Sequence, residues 1–277
     1  MTTADPDPQS LPYALTVASS DSGGGAGIQA DLKTMTRLGV YGGSVVVAVT
    51  AQNTRGVEST HVLPTEEIRA QFDAVTDDFD VGAVKLGMLA TADAVRTVAD
   101  CLDAYEGPVV VDPVMVATSG DRLLDADAVD AYTDLFARAT LVTPNADETE
   151  ALTGEWPDSA AARDAAAAQF FEWGVDAVLF KGGHVADGDE VRDVLATPDD
   201  RTVFASPRVD TETTHGSGCT LSSAIAARLA RGDDRATAVE RGIDFVRAAI
   251  ERPADVGENG SVNHLVDASE TVGAFEN

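Results

Sequence analysis

The chain has 277 residues, 44% of them hydrophobic, enough for a sizeable core in one domain or two. Its 19 basic residues against 47 acidic ones give a net charge of −28, a surface that repels nucleic acid and anionic lipid, so neither is an expected partner. No apolar run is long enough to cross a bilayer, MTTADPDPQS is neither basic nor apolar as a leader must be, and Cys101 and Cys219 are too few for a disulfide framework; a soluble, cytoplasmic protein is expected.

The acids are dispersed, as in AVTDDFD and TPDDRTV, and lysine occurs only at positions 33, 85 and 181. With few aromatics besides, this composition predicts a halophilic protein. In molar salt the Debye length falls to about 3 Å and self-repulsion is largely screened.

Residues 1–10, rich in Asp and Pro, predict a disordered tail. A strand at 13–19 then leads to a helix at 27–38, a strand at 44–50, a helix at 65–78, a strand at 81–87 and a helix at 91–104. Strands at 108–112, 140–143 and 176–182 follow, with helices at 125–138, 145–153 and 158–173 between them. A hairpin within 190–209 interrupts the alternation, and helices at 218–231 and 233–251 close it. Apolar strands separated by Ala-rich helices mean an α/β fold, a mostly parallel sheet with helices on both faces. Without a linker or repeat, residues 11–277 are expected to form one domain with a short C-terminal extension from about residue 252. In such sheets ligands sit beyond the carboxyl ends of the strands, so motifs at strand ends carry most weight.

Four motifs fall there. Gly25–Ala30 in ASSDSGGGAGIQADLKT satisfies the dinucleotide pattern G-x-G-x-x-A, but the acid wanted about 20 residues on is missing, as is any Gly-Lys-Ser/Thr. Alone it reads equally as a glycine turn opening a helix. Gln52, in AQNTRG, offers an acceptor and two donors together, the match for the ring nitrogen and exocyclic amine of an aminopyrimidine. Alone it reads as a solvated loop residue. In TPNADETEALTG, Asn145 and Glu148 have the spacing of a helix cap, and Glu148 also suits a hydrated Mg²⁺ beside phosphates.

The fourth motif is TETTHGSGCTLSSAIAARLA, residues 211–230. Gly216 and Gly218 let the backbone gather its N–H groups at the positive end of a helix, an anion hole built without lysine. Cys219, in the first turn, is expected to have its thiolate favoured by the same dipole and so to serve as a base near neutral pH. Alone it reads as a small residue packing a helix start. Cys101 reads as core.

Together GGAGIQADLKT, AQNTRGV, KLGML, VVDPVMVATSGDRLL, TPNADE, KGGH and THGSGCTLSSAIA resemble, in order, the signature segments of the hydroxymethylpyrimidine/phosphomethylpyrimidine kinases, within the ribokinase-like superfamily. The resemblance runs from about Leu15 to about Ala230. It implies a ribokinase-like fold, ATP and Mg²⁺ as cofactors, and two phosphorylations: of 4-amino-5-hydroxymethyl-2-methylpyrimidine, then of its monophosphate. By position Gln52 matches the pyrimidine-reading glutamine, Met88 and Val114 match apolar residues of the substrate pocket, and Asp31 is grouped with them. Gly216, Ser217 and Gly218 match the anion hole, with Thr214 in the same phosphate-binding segment. Cys219 stands where related sugar kinases carry a basic Asp, and Lys181 matches a lysine near the ATP phosphates. Asn145 and Glu148 match a magnesium-linked pair that Asp112 joins through water. The resemblance also suggests a homodimer.

Ser19 and Ser22 stand where the family often has Gly and Pro, a difference expected to affect the turn more than the chemistry, and Thr213 replaces an expected Asn. The thiamine-related domain that some members carry is not expected, since only residues 252–277 follow the last helix. Two rivals remain. A pyridoxal kinase of the same fold would also phosphorylate a hydroxymethyl group on a flat nitrogen ring, though Gln52 suits an aminopyrimidine better. A non-catalytic pyrimidine sensor would be expected to lose Cys219, Lys181 or the glycines, and all are present.

Overall fold

A computed structural model describes residues 9–115, 128–185 and 188–267. The chain opens with β1 (Tyr13–Asp21), α1 (Gly27–Arg37) and β2 (Tyr41–Asn53), then β3 (Gly56–Val62), α2 (Thr65–Thr76), β4 (Val81–Leu86) and α3 (Ala92–Leu102). Next come β5 (Val109–Val111), α4 (Ala128–Phe136), β6 (Leu141–Val142), α5 (Ala146–Thr153), α6 (Ala160–Glu172) and β7 (Val178–Phe180). The hairpin β8 (Glu190–Ala196) and β9 (Arg201–Pro207) precedes α7 (Ser217–Ala230) and α8 (Arg235–Glu251).

Among the described residues these strands make one sheet in the order β3-β2-β1-β4-β5-β6-β7-β8-β9. From β2 to β7 every pairing is parallel, and the pairings at either edge are antiparallel. Central strands are apolar throughout because both faces are covered: Val109, Val110 and Val111 are all buried. On one face α7 packs against α1 and α8; on the other α2, α3 and α4 lie side by side. α3 shows why such a segment is helical. Ala94, Val95, Val98, Ala99, Cys101 and Leu102 form one buried face, and the Thr91 side chain caps the start by accepting from Ala94 N–H. Each Val or Leu so buried stabilises the fold by about 1.5–3 kcal/mol.

Among the described residues the expected elements are present, with one strand added. β3 was not foreseen, because GVESTHV is an exposed edge strand without apolar alternation. It pairs with β2 across a register shift: Ala51 faces Ser59 and Gln52 faces Val57, so the extra residue lies in β3. The expected hairpin within 190–209 is present and continues the sheet beyond β7. Residues 252–267 fold back onto the domain: Ala254 bridges Ser261, Val262 N–H donates to the His215 carbonyl (3.2 Å), and Asn259 reaches the Thr54 carbonyl (2.8 Å). Most of the expected N-terminal tail (residues 1–8), the start of the 125–138 helix, and the ATSGDRLL part of its motif lie outside the described residues. No helix among the described residues is long and apolar enough to cross a membrane.

Candidate active site

The carboxyl ends of β1, β2, β4, β5, β6 and β7 open on one cavity of about 770 Å³. Gln52, Met88 and Val114 line it, as do Asp112, Asn145, Glu148 and Lys181. So do Thr214, Gly216, Ser217, Gly218 and Cys219. Residues up to 167 positions apart thus meet, which is why no single motif disclosed the site. Asp31 is the exception. It is wholly buried beneath the cavity, so the substrate contact expected of it is not made by its own side chain.

The glycine loop proves to have an internal ligand. Asp21 Oδ1 accepts from Gly23 N–H (2.8 Å), and its Oδ2 accepts from Gly25 (3.0 Å) and Ala26 (2.8 Å). Gly24 N–H goes to the Asp21 carbonyl (3.0 Å). With every amide from 23 to 26 engaged, the dinucleotide reading of this loop falls. Burial works against the Asp21 charge, but the His215 ring at 3.4 Å and the amides of Ala26 and Gly23 outweigh it and hold the carboxyl below its ordinary value. The glycines also allow close approach: a Cβ at Gly216, where φ is +83°, would lie 1.9 Å from the Gly25 carbonyl oxygen. The first and last motifs are thereby locked together.

At the start of α7 the amides of Gly216, Gly218 and Cys219 have no hydrogen-bond partner among the described residues, whereas Ser217 N–H is taken by the Thr214 carbonyl (3.0 Å). The Ser217 amide is therefore not free to serve the expected anion hole. Lys181 faces it. Its Nζ lies 2.9 Å from Asp112 Oδ1 and 3.5 Å from Glu148 Oε2. Burial alone would strip the Lys181 proton, but Asp112 and Glu148 outweigh it and raise the ammonium above its ordinary value. Burial pushes Glu148 up to about 7, Lys181 opposing and Asp112 adding.

Asn145 and Glu148 form a complete capping box, Asn145 Oδ1 accepting from Glu148 N–H and Glu148 Oε2 from Asn145 N–H, both at 2.8 Å. Asn145 Oδ1 and Glu148 Oε2 are thus both engaged at the helix start. Asp112 and Glu148 are the hard oxygen donors Mg²⁺ prefers. Among the described residues no cluster of three or more His, Cys, Asp or Glu side chains is placed to hold a metal alone.

Cys219 corrects an expectation. Burial pushes its thiol up to about 11; Lys85 and the Gly27 amide oppose, while Asp31 and Asp112 reinforce the rise. The helix start does not suffice to ionise it at neutral pH.

Gln52 accepts from Thr50 Oγ1 through Oε1 (3.1 Å), and its Nε2 has no partner among the described residues. Its backbone is clamped by Ser22, whose Oγ donates to the Gln52 carbonyl (2.6 Å) and accepts from Gln52 N–H (2.8 Å). Ser19 Oγ likewise donates to the Met88 carbonyl (2.9 Å). The two departures from the family pattern therefore do more than shape a turn: each holds a pocket residue. Sequence reasoning also missed Asp21, His215 and Lys85 as cavity residues. Lys85 had a signal, being one of three lysines and lying between apolar residues of a strand.

The chain matches the family model described as phosphomethylpyrimidine kinase over residues 21–263. It is 47% identical over 264 residues to a hydroxymethylpyrimidine/phosphomethylpyrimidine kinase of Streptomyces coelicolor, covering 95% of this chain and 97% of that one. The crystal structure of a phosphomethylpyrimidine kinase from Clostridium difficile 630 superposes with a TM-score of 0.76 at 37% identity, covering 86% of this chain and 99% of that one. An ADP complex of Bacillus subtilis pyridoxal kinase superposes with a TM-score of 0.84 at 34% identity, covering 92% and 98%. Matched nearly end to end at this identity, the chain belongs to the phosphomethylpyrimidine kinase family.

Proposed function

We propose that the protein is an ATP-dependent kinase that phosphorylates 4-amino-5-hydroxymethyl-2-methylpyrimidine and then converts the monophosphate to the diphosphate. The observation that carries this reading is the meeting, in one cavity, of the Gln52 amide, the unbonded amides at the start of α7, Lys181 and Cys219. Gln52 reads the aminopyrimidine edge between the apolar Met88 and Val114. The hydroxymethyl oxygen attacks the γ-phosphorus of ATP in line, the bond to the ADP oxygen breaks, and the alcohol proton passes to the Cys219 sulfur in its thiolate form. Catalysis here is mostly positioning and charge stabilisation. The amides of Gly218 and Cys219 answer the transferring oxygens, and Lys181 answers the phosphates. Asp112 and Glu148 would hold Mg²⁺, and the ion would neutralise phosphate charge.

The second phosphorylation has an ionised phosphate oxygen as nucleophile and requires no base. Pyridoxal kinase is the second reading, favoured by the TM-score of 0.84 to a protein of that name and by a cysteine in the cavity able to add to an aldehyde. Offering the two substrates separately and weighing the products decides between them. The net charge of −28 supports a working range in concentrated salt. Exposed Tyr41 and Val49 on β2 support self-association as a homodimer, which light scattering in molar KCl tests.

A further inference from the structure

Ser223 Oγ, 2.6 Å from the Cys219 carbonyl, also contacts a charge pair that the phosphoryl-transfer scheme does not use. Lys85 projects from β4 between the buried Val84 and Leu86, and Asp31 projects from α1; both side chains are wholly buried. Lys85 Nζ is 2.9 Å from each Asp31 oxygen. Thr16 Oγ1 donates to Asp31 Oδ2 (2.6 Å), and Ser223 Oγ donates to Oδ1. Asp31 is thereby saturated, while Lys85 has one of its three donors left. Lys85 lines the cavity and Asp31 does not. A Cβ at Gly87 would come within 2.8 Å of Nζ, so glycine in that position leaves the ammonium its place in the floor.

An ion pair buried this deeply is a poor source of stability compared with apolar packing, which turns attention to what its charge faces. We propose that Lys85 is a positioning residue: anchored by Asp31, its ammonium stabilises the Cys219 sulfur in its ionised form. Asp31 holds that ammonium in place without touching substrate, while its own charge opposes ionisation of the sulfur. Burial works against the charge on Lys85, but Asp31, with Cys219 and Asp112, outweighs it and keeps the ammonium protonated. The charged groups facing the sulfur are Lys85 from β4, Asp31 from α1, Asp112 after β5 and Lys181 after β7. This proposal rests on the reading of Cys219 as the proton acceptor.

The test is the pH profile of Cys219 alkylation by iodoacetamide in the full chain, without substrate, with the modified peptide identified by mass. Lys85→Met is expected to move the profile to higher pH by about one unit or more, a loss of about tenfold in rate at a fixed pH below it. Asp31→Asn is expected to move it to lower pH. Opposite shifts are a signature that mere loosening of the fold does not produce. Shifts in the same direction, or none, overturn the proposal. If a single variant fails to fold, Lys85→Met/Asp31→Asn removes both charges together. Because Lys85 is the one at the cavity, the double variant should titrate above wild type, and an unchanged profile overturns the proposal. Alkylation involves no kinase substrate, so failure of the pyrimidine assignment leaves this result standing, and failure of this test leaves that assignment standing.

Discussion

Lys181 Nζ stands 2.9 Å from Asp112 Oδ1, and a methyl group on Gly218 would lie 3.5 Å from that ammonium and 3.4 Å from Asp112 Oδ2. The space above Gly218 is therefore bounded by a cation and by the unbonded amides of α7, the surroundings a transferring phosphoryl group requires. Gly218→Ala should fold normally, since its contacts are ordinary and alanine favours a helix by roughly 0.5–1 kcal/mol over glycine. Its kcat should fall by about 10²–10³ in both phosphorylations, the scale of losing an anion-stabilising group. Lys181→Met should also impair both. Gly216→Ala should instead be unstable, because φ is +83° and the new carbon would meet the Gly25 carbonyl at 1.9 Å. Steady-state rates and thermal melts of the variants check this contrast.

The thiol of Cys219, pushed up to about 11, gives the first phosphorylation a pH signature. Below that value the thiolate fraction rises about tenfold per pH unit, so the rate should climb from pH 7 to pH 9 when proton transfer limits it. The second phosphorylation, whose nucleophile is already ionised, should lack this rise. Cys219→Ala should slow the first step by about 10²–10⁴ and the second far less. Separate rate measurements with the alcohol and its monophosphate decide; equal losses would mean that Cys219 shapes the anion hole.

Ser22→Ala removes both hydrogen bonds that Ser22 Oγ makes to the Gln52 backbone. A net bond is worth about 1 kcal/mol, so KM for the pyrimidine should rise roughly fivefold with KM for ATP little changed. An unaltered pyrimidine KM would show that the pairing of β2 with β3 positions the glutamine by itself.

Much of this arrangement was legible in the sequence because local rules acted alone. The parallel sheet followed from apolar runs between helices, and the capping box followed from Asn145 and Glu148. The charge state of Cys219 was not legible. A helix start favours thiolate, but burial depends on elements distant in sequence, and in the assembled cavity burial wins. Nor could the glycine loop be settled before folding, because its anion is Asp21 of its own strand end and not a phosphate.

His264, in the segment that returns over the His215 carbonyl, has its Nε2 buried without a hydrogen-bond partner among the described residues. Burial, with Lys33 and His215 adding, lowers its pKa from 6.5 to about 4. The unfolded chain therefore binds a proton near pH 6.5 that the folded chain refuses until about pH 4. Stability present above pH 6.5 should be lost as pH falls through this window, by at most about 3 kcal/mol from this residue. Denaturant titrations between pH 7 and pH 4 should show a shallower decline in His264→Leu. An equal decline in both proteins would place the acid sensitivity elsewhere.

The most direct test of the account is ATP consumption with Mg²⁺ in molar KCl, with the hydroxymethyl aminopyrimidine and pyridoxal offered separately and the products resolved by mass. The account predicts the pyrimidine monophosphate followed by its diphosphate. Phosphorylation of pyridoxal alone would contradict it, overturning the substrate and the role of Gln52 while leaving the anion hole, Lys181 and the base in place.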